Sequence, residues 1–521
     1  MGAATPAYAA WQNNTHPTWY KDKGLRRMAV HIMMMYLCIF TFGYDGSLLN
    51  GLQTVPRWQK DFNRPAGNAL GIIAASFYFP KIVTPIFASY IGDLYGRRAS
   101  LLVGSVISVA GAFVNTFAHS RGMLIAGRAV LGAGLGMQAT IAPTMIQELC
   151  HPRLRAVAGG MYLGFFYVGS TTAAWLCFGM INWDNSWAWR LPTIVQVLGT
   201  GGIGIYIALG LMVESPRWLV SKGKEEQALR TIANMHANGD LDDELVQHEM
   251  TEIKNGLEFD RVNKGNNGYL AFLKTPGNRK RLFVLVVIAA SSQLNGVGLV
   301  SYYIAPILKL IGITKPSQVA GINGGLAIWN LFNTIIIAQF VERIGRRPLW
   351  LTGATGILFA FAVVTGLSGS FAMHRSSSVG TAVIPFLFIF YLFQNMAWAV
   401  LANLYVAEIL PYGLRSKGMS IYVTTQSVSL AFNQYVNPVA IAAIAWKYYF
   451  VYIAIQVLLV IFAYFFLVET KGYTIEEVSR LFDGKNAAEG VVEHAAEGVE
   501  HVDADEKGHD EHIESRTTVL K

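Results

Sequence analysis

What most constrains this 521-residue chain is a series of twelve long apolar stretches, too many to be buried in one water-soluble core. They run at about 29–51, 69–91, 100–118, 122–147, 156–181 and 191–213, then 281–308, 318–341, 349–371, 381–407, 418–441 and 448–468. Each is near the roughly 20 residues that a helix needs to cross about 30 Å of hydrocarbon. A transmembrane β-barrel would instead show segments of roughly ten residues with dyad alternation. These runs are continuous and rich in Gly, so an all-α membrane protein is expected. Composition agrees, since charged residues make up only 14% of the chain, against about 25% in soluble domains.

The basic residues set an orientation. With both termini on one side, that side collects 30 of the 41 Lys and Arg and the opposite loops 8, the rest being Lys81, Arg128 and Lys309. Such an excess marks the cytoplasmic face. The net charge of +8 therefore reflects topology and implies no nucleic acid. The N-terminus lacks the order of a cleaved signal, and the first span is too long for a signal core, so that span is expected to be retained. Pro6 stands where a myristoylation pattern wants Ser or Thr, so no lipid anchor is expected. Cys38, Cys150 and Cys177 suggest no disulfide framework. The sequon Asn13-Asn14-Thr15 falls on the cytoplasmic side, where it should stay unmodified.

The spans divide six and six. Residues 1–28 read as a cytoplasmic arm, 29–213 as one six-helix bundle, 214–280 as a cytoplasmic linker with amphipathic helices, 281–470 as a second bundle and 471–521 as a tail. Local sequence recurs across the linker. GDLYGRR at 92–98 returns as VERIGRR at 341–347, Glu148 with Arg155 returns as Glu408 with Arg415, and VESPRW from 213 returns as VETKGY from 468. Echoes in register argue for duplicated halves rocking about a site at the midplane. The tail after Asp483 is acidic and poor in aromatics, so disorder is expected there. Its four His read as a solvated segment, and no metal site is expected.

With these motifs in order, the chain resembles the sugar porter family of the major facilitator superfamily along nearly its whole membrane region. The resemblance rests on GYD at 43–45, GDLYGRR at 92–98, GRAVLGAGLG at 127–136, ESPRWL at 214–219, VERIGRR at 341–347 and ETKGYTIEE at 469–477. GLVSYY at 298–303 and NQYVNP at 433–438 look most like the fungal branch that includes lactose permeases. The resemblance implies a twelve-helix major facilitator fold and a plasma-membrane transporter that imports a mono- or disaccharide by alternating access. It also implies a proton as co-substrate, a lipid bilayer as surroundings, no cofactor and no particular protein partner.

Asp45 lies well inside the first span, where a charge costs roughly 2.5–3.5 kcal/mol even on the lenient insertion scale. It needs a partner, and Arg128 is the natural one, on a span whose glycines allow close approach. In the family the matching Asp is the proton site and the matching Arg tunes it; a permanent pair that only fixes packing is the alternative. Sugar hydroxyls are bound by amides, which offer donor and acceptor together. By resemblance, Gln293, Asn330 and Gln426 are candidates; Asn295, Asn395 and Asn403, the last where the family has Trp, are further amides within the spans, and a buried amide can instead hold helices together. The family's first Gln of span seven is Ser292 here, and its Gln of span five is Leu163, so the N-terminal half offers less hydrogen bonding. Tyr302 and Tyr303 match the aromatic pair that closes over sugar on the outer side. Arg97, Arg98, Glu148, Arg155, Glu214, Glu342, Arg346, Arg347, Glu408, Arg415 and Glu469 match the family's cytoplasmic gate, whose pairs tie the halves when the pathway is closed inside.

Lys81 lies near the middle of span two, between Pro80 and Pro85. It could pair with Asp45, bind an anionic substrate group or snorkel along a distorted helix. Competing readings of the whole chain are a facilitative carrier, a carrier of a polyol or of an acid such as quinate, and a sugar sensor without net flux. No nucleophile–base constellation, phosphate loop or metal-ligand spacing appears, so an enzyme is not expected.

Overall fold

In the computed structural model, residues 13–262 and 269–471 are described, together with Val478 and Phe482; for a few further positions inside helices, Glu342 among them, only the backbone is described. The acidic tail thus lies outside the described residues. No strand occurs among those that are described. Eleven segments are long and apolar enough to cross a membrane. The last of them, Lys417–Phe466, is two helices joined by the 3-10 turn Ala445–Tyr448, which makes twelve crossings.

The N-terminal half is built from α1 (Lys23–Leu52), then a second span split into α2 (Gly67–Ala75) and α3 (Thr84–Tyr95), then α4 (Arg97–Thr116), α5 (Arg121–Leu149), α6 (Pro152–Met180) and α7 (Trp187–Ala208). The linker folds as α8 (Pro216–Ser221), α9 (Glu225–His236), α10 (Glu244–Val262) and α11 (Ala271–Lys274). In the C-terminal half the seventh span is broken into α12 (Pro276–Leu294) and α13 (Val297–Tyr302), followed by α14 (Ile304–Leu310). After α15 (Pro316–Ile344) and α16 (Arg346–His374), the tenth span is interrupted as α17 (Ser377–Gln394), a π-helical turn at Asn395–Ala399 and α18 (Leu401–Ile409). The half closes with α19 (Tyr412–Ile444) and α20 (Tyr449–Phe466).

The interrupted spans have local causes. Pro80 and Pro85 cannot donate to a helical ladder, so the second span unwinds between Ser76 and Val83. Gly296 takes φ +94°, a conformation that favours glycine, and Asn295 caps the break by accepting the Val297 N–H at 3.0 Å. A π turn is a rarity that concentrates at functional positions. Hydrocarbon tolerates such breaks only where protein or a water-filled cavity takes over the freed backbone groups.

Close packing within the N-terminal half rests on small residues. A Cβ built on Gly43 of α1 would strike the carbonyl oxygen of Phe166, and one built on Gly169 of α6 would strike that of Phe40. The two backbones therefore touch reciprocally, as small-residue crossings in membranes do. Helices α8 to α10 pack on the N-terminal half, whereas α11 packs on α12 of the other. The N-terminal arm joins the linker too. Asn13 donates to the His236 carbonyl (2.8 Å) and to Asp243 (3.2 Å), and Asn14 donates to the Ala237 carbonyl (2.8 Å). The sequon asparagine is thereby occupied inside the protein.

Substituting Gly169→Val should cost about 1–3 kcal/mol by overpacking and lower the thermal midpoint of the purified chain. Gly164→Ala, on the same helix with nothing within 4 Å of the added Cβ, should leave it nearly unchanged. Thermal unfolding in detergent followed by tryptophan fluorescence checks both.

Candidate transport site between the halves

The centre of the N-terminal half holds a buried ion pair. Asp45 of α1 is fully buried, and its Oδ2 lies 3.4 Å from Arg128 Nη2 on α5. Arg128 is also fixed by donating from Nε to the Ile73 carbonyl at 2.8 Å, just before the second span unwinds, and it sits over the Phe77 ring. The other carboxylate oxygen, Oδ1, is buried with no hydrogen-bond partner among the described residues. The pair is single-stranded where an arginine fork could make two bonds, so one acceptor remains open to a proton.

Facing this pair across the molecule is a chain of amides. Asn395, at the start of the π turn, donates to Asn330 Oδ1 on α15 at 2.8 Å, and Tyr167 of α6 donates to Asn395 Oδ1 at 3.3 Å. A residue of the N-terminal half thus completes a polar site in the C-terminal half. Beside it, Gln426 of α19 donates to Ser292 Oγ at 3.1 Å, and the Gln293 side chain is half-buried with only its carbonyl engaged, by Asn433 at 2.5 Å. Amides and hydroxyls of this kind offer both donors and acceptors, as binding of sugar hydroxyls requires.

The halves are sealed on the face away from the linker. Asn50 of α1 donates to Asn323 Oδ1 at 2.7 Å and to the Ser301 carbonyl at 3.1 Å, while Gln53 donates to the Tyr302 carbonyl at 3.1 Å. Tyr435 of α19 donates to Asn68 Oδ1 at 2.8 Å, and the Tyr302 ring meets Tyr78 edge-on with centroids 6.0 Å apart. Accordingly α2 packs along α19, whereas α3, the half of the same span nearer the linker, packs on α4 and α5 of its own half.

At the linker face the two halves carry the same device twice. Arg97 pairs with Glu148 (3.3 Å) and Asp93 (2.8 Å), and Glu214 accepts from the backbone N–H groups of Arg97 (2.9 Å) and Arg98 (3.3 Å) at the start of α4. Arg346 pairs with Glu408 (2.7 Å), and Glu469 accepts from the N–H groups of Arg346 (2.9 Å) and Arg347 (3.0 Å) at the start of α16. A carboxylate on a helix N-terminus is favoured by both the free N–H groups and the helix dipole. The two copies differ in exposure to water. Burial pushes the Glu214 carboxyl above its ordinary value despite those bonds. For Glu469 burial acts the same way but is outweighed by the N–H groups of Arg346, Lys471, Arg347 and Thr470, which hold it below the ordinary 4.5.

The family model described as sugar (and other) transporter matches residues 31–482. The chain belongs to that family. Among the curated relatives of this transporter are high-affinity glucose transporter 1 of Candida albicans, 27% identical over 85% of the chain and 83% of that protein, and hexose transporter HXT9 of Saccharomyces cerevisiae, 27% identical over 87% of the chain and 82% of that protein. Among solved structures, the partially occluded inward-open form of the xylose transporter XylE from E. coli matches with a TM-score of 0.71 at 21% identity, covering 86% of the chain and all of XylE. The proton:xylose symporter XylE bound to 6-bromo-6-deoxy-D-glucose matches with a TM-score of 0.68 at 22% identity, over 88% of the chain and 99% of that structure. The fold is the major facilitator fold, and the family and relatives are transporters, not enzymes.

The transporter's candidate residues fall into distinct groups. Asp45 with Arg128, and Asn330 with Asn395, stand together as pairs. Asn295 is fully buried and spent within its own half: its amide donates to Gln394 at 2.7 Å and its carbonyl accepts from Gln456. Asn403 is exposed, two turns beyond Asn395. Tyr302 stands at the seal, but Tyr303 is packed inside the C-terminal half, with its hydroxyl on the Gln434 carbonyl at 2.6 Å. Adjacent helical residues point about 100° apart, and α13 ends at Tyr302, so the two tyrosines part company. At the linker face the named pairs of Arg97, Glu148, Glu214, Arg346, Glu408 and Glu469 each join residues of one half. Arg155 turns to Glu249 of the linker at 4.0 Å, Arg98 contributes its backbone, Arg347 also donates to the Tyr464 carbonyl at 2.9 Å, and Arg415 has a buried Nε without a hydrogen-bond partner among the described residues. The Glu342 side chain lies outside the described residues. Tyr167 was not anticipated. Its signal was available one helical turn after Leu163, on the same face of α6.

Two outcomes follow from this geometry. In a chain without its native cysteines, Asn50→Cys with Asn323→Cys should be bridged by a short bifunctional thiol reagent, and bridging should stop flux until the link is reduced. Because the folded protein holds Glu469 below its ordinary value, its ionised form stabilises the fold above about pH 4.5, and this contribution is lost as pH falls through the folded-state value. The melting-temperature deficit of Glu469→Gln should therefore be full at pH 7 and fade below pH 4.5.

Proposed function

We propose that this chain imports a sugar across the plasma membrane together with a proton, by alternating access, with both termini on the cytoplasmic side. The observation that carries the reading is the buried Asp45–Arg128 pair with one unpartnered carboxylate oxygen, placed against a path of amides that includes a tyrosine of the other half. When Arg128 moves away, a carboxylate in a low-dielectric site favours its protonated form; restoring the pair favours release. The proton thereby follows the rocking of the two halves. Gln293, Asn330, Asn395, Gln426 and Tyr167 contact the sugar in this reading, and Tyr302 with Tyr78 closes over it. The relatives' names support the sugar: the curated relatives described above are glucose and hexose transporters, and XylE is named a proton:xylose symporter.

The conformation with a sealed face opposite the linker is the inward-facing member of the cycle. Opening the other way requires the Asn50, Gln53, Asn68 and Tyr302 contacts to break, and the inner pairs of the two halves to come together. At about 1 kcal/mol per neutral hydrogen bond, the seal is small enough for substrate binding to reverse.

The test is uptake of labelled D-glucose into proteoliposomes holding only this protein, with and without an inward proton gradient. The wild-type chain should concentrate the sugar with the gradient and only equilibrate it when a protonophore is present. Asp45→Asn should lose gradient-driven accumulation by at least tenfold while still exchanging sugar across the membrane. Accumulation that ignores the protonophore, unchanged in Asp45→Asn, removes proton coupling; absence of flux with any sugar removes transport.

A further inference from the structure

The second span breaks at mid-depth, and the break carries a lysine that the reading above does not use. Pro80 opens the 3-10 turn Pro80–Ile82, and Pro85 sits in the first turn of α3. Helix interruptions at this depth are tolerated where they line a cavity, and in secondary transporters they mark binding positions. This turn touches α5 of its own half and α19 of the other. Lys81 is half-buried there, its Nζ 3.5 Å from the centre of the Phe42 ring. Phe42 meets Phe166, Phe166 meets Tyr167, and both Phe166 and Tyr302 close on Gly46. The ammonium thus shares the central space of the site tyrosine and the sealing tyrosine.

Charge in that space does not balance. Asp45 is taken by Arg128, whereas the Lys81 ammonium makes no ion pair or hydrogen bond among the described residues. The face of Phe42 holds the ammonium by a cation–π contact but brings no negative charge. With Lys81 protonated, two cations face one carboxylate, an excess that a poorly solvated site disfavours until an anion joins it. Protonation of Asp45 during the cycle adds to the excess. A ligand that brings a carboxylate removes it, and its hydroxyls still meet the amides of Asn330 and Asn395.

Building on the sugar-transport reading and narrowing it, we propose that Lys81 anchors a carboxylate of the transported solute, so that the chain carries acidic sugars of the uronate or aldonate class. The test compares counterflow of labelled D-glucuronate and labelled D-glucose in proteoliposomes of the full chain, for wild type, Lys81→Gln and Lys81→Arg, each confirmed monodisperse. Wild type should carry glucuronate. The ratio of glucuronate to glucose flux should fall at least tenfold in Lys81→Gln, as expected for a charge-assisted hydrogen bond, and recover in part in Lys81→Arg. Glucose flux without glucuronate flux in the wild type overturns the assignment and leaves sugar transport standing. An unchanged ratio in Lys81→Gln, with a displaced pH profile of glucose flux, also overturns it and places Lys81 as a partner of Asp45 instead. Failure of both solutes in the wild type removes the sugar-transport reading together with this one.

Discussion

A carboxylate held in hydrocarbon is the constraint around which the N-terminal half is arranged. Asp45 cannot be hydrated where it stands, and Arg128 can reach it only because the glycines of α5 let neighbouring helices approach. Arg128 is held in turn by a carbonyl of α2 and by the face of Phe77, which ties the ion pair to the interrupted second span. The pair is therefore mechanically connected to the elements that line the space between the halves. A buried pair of this kind is a poor source of stability, since desolvation consumes most of its Coulombic gain.

Duplication explains the linker face. In both halves an acidic residue after the sixth span of the bundle caps the helix that begins the third, and an arginine at that helix start pairs with a glutamate ending the fourth. The positive φ of Gly96 (+103°) and Gly345 (+105°) makes room for the capping carboxylates, for a side chain at Gly345 would lie 2.9 Å from Glu469. These networks keep the helix ends of each half in fixed register.

Hydropathy, basic residues and internal echoes made the fold legible, because a bilayer imposes length and polarity limits that a single sequence reveals directly. The buried pair was equally legible, since a lone Asp in an apolar span demands a cation. The amide site was less so. Sequence places a residue within a span but does not give the face it presents once the helix breaks. Asn295 became a cap for the Gly296 turn and Tyr303 a packed core residue, although their neighbours Gln293 and Tyr302 stayed near the centre. Tyr167 escaped notice because Leu163 occupied the familiar position, while the hydroxyl that reaches Asn395 comes from the next turn. The two prolines flanking Lys81 signalled distortion, but only the folded chain sets that lysine on Phe42.

The linker is divided between the two bundles. Because the N-terminal arm is laced to α9 and Asp243, and α8 to α10 lie on the first bundle while α11 belongs to the second, ownership of the chain changes hands between Val262 and Tyr269. Among the described residues, those from Asn13 to Val262 are attached to the first bundle and those from Tyr269 to the second. Any change in the angle between the bundles would thus reach the water-exposed surface as a change in separation between α10 and α11.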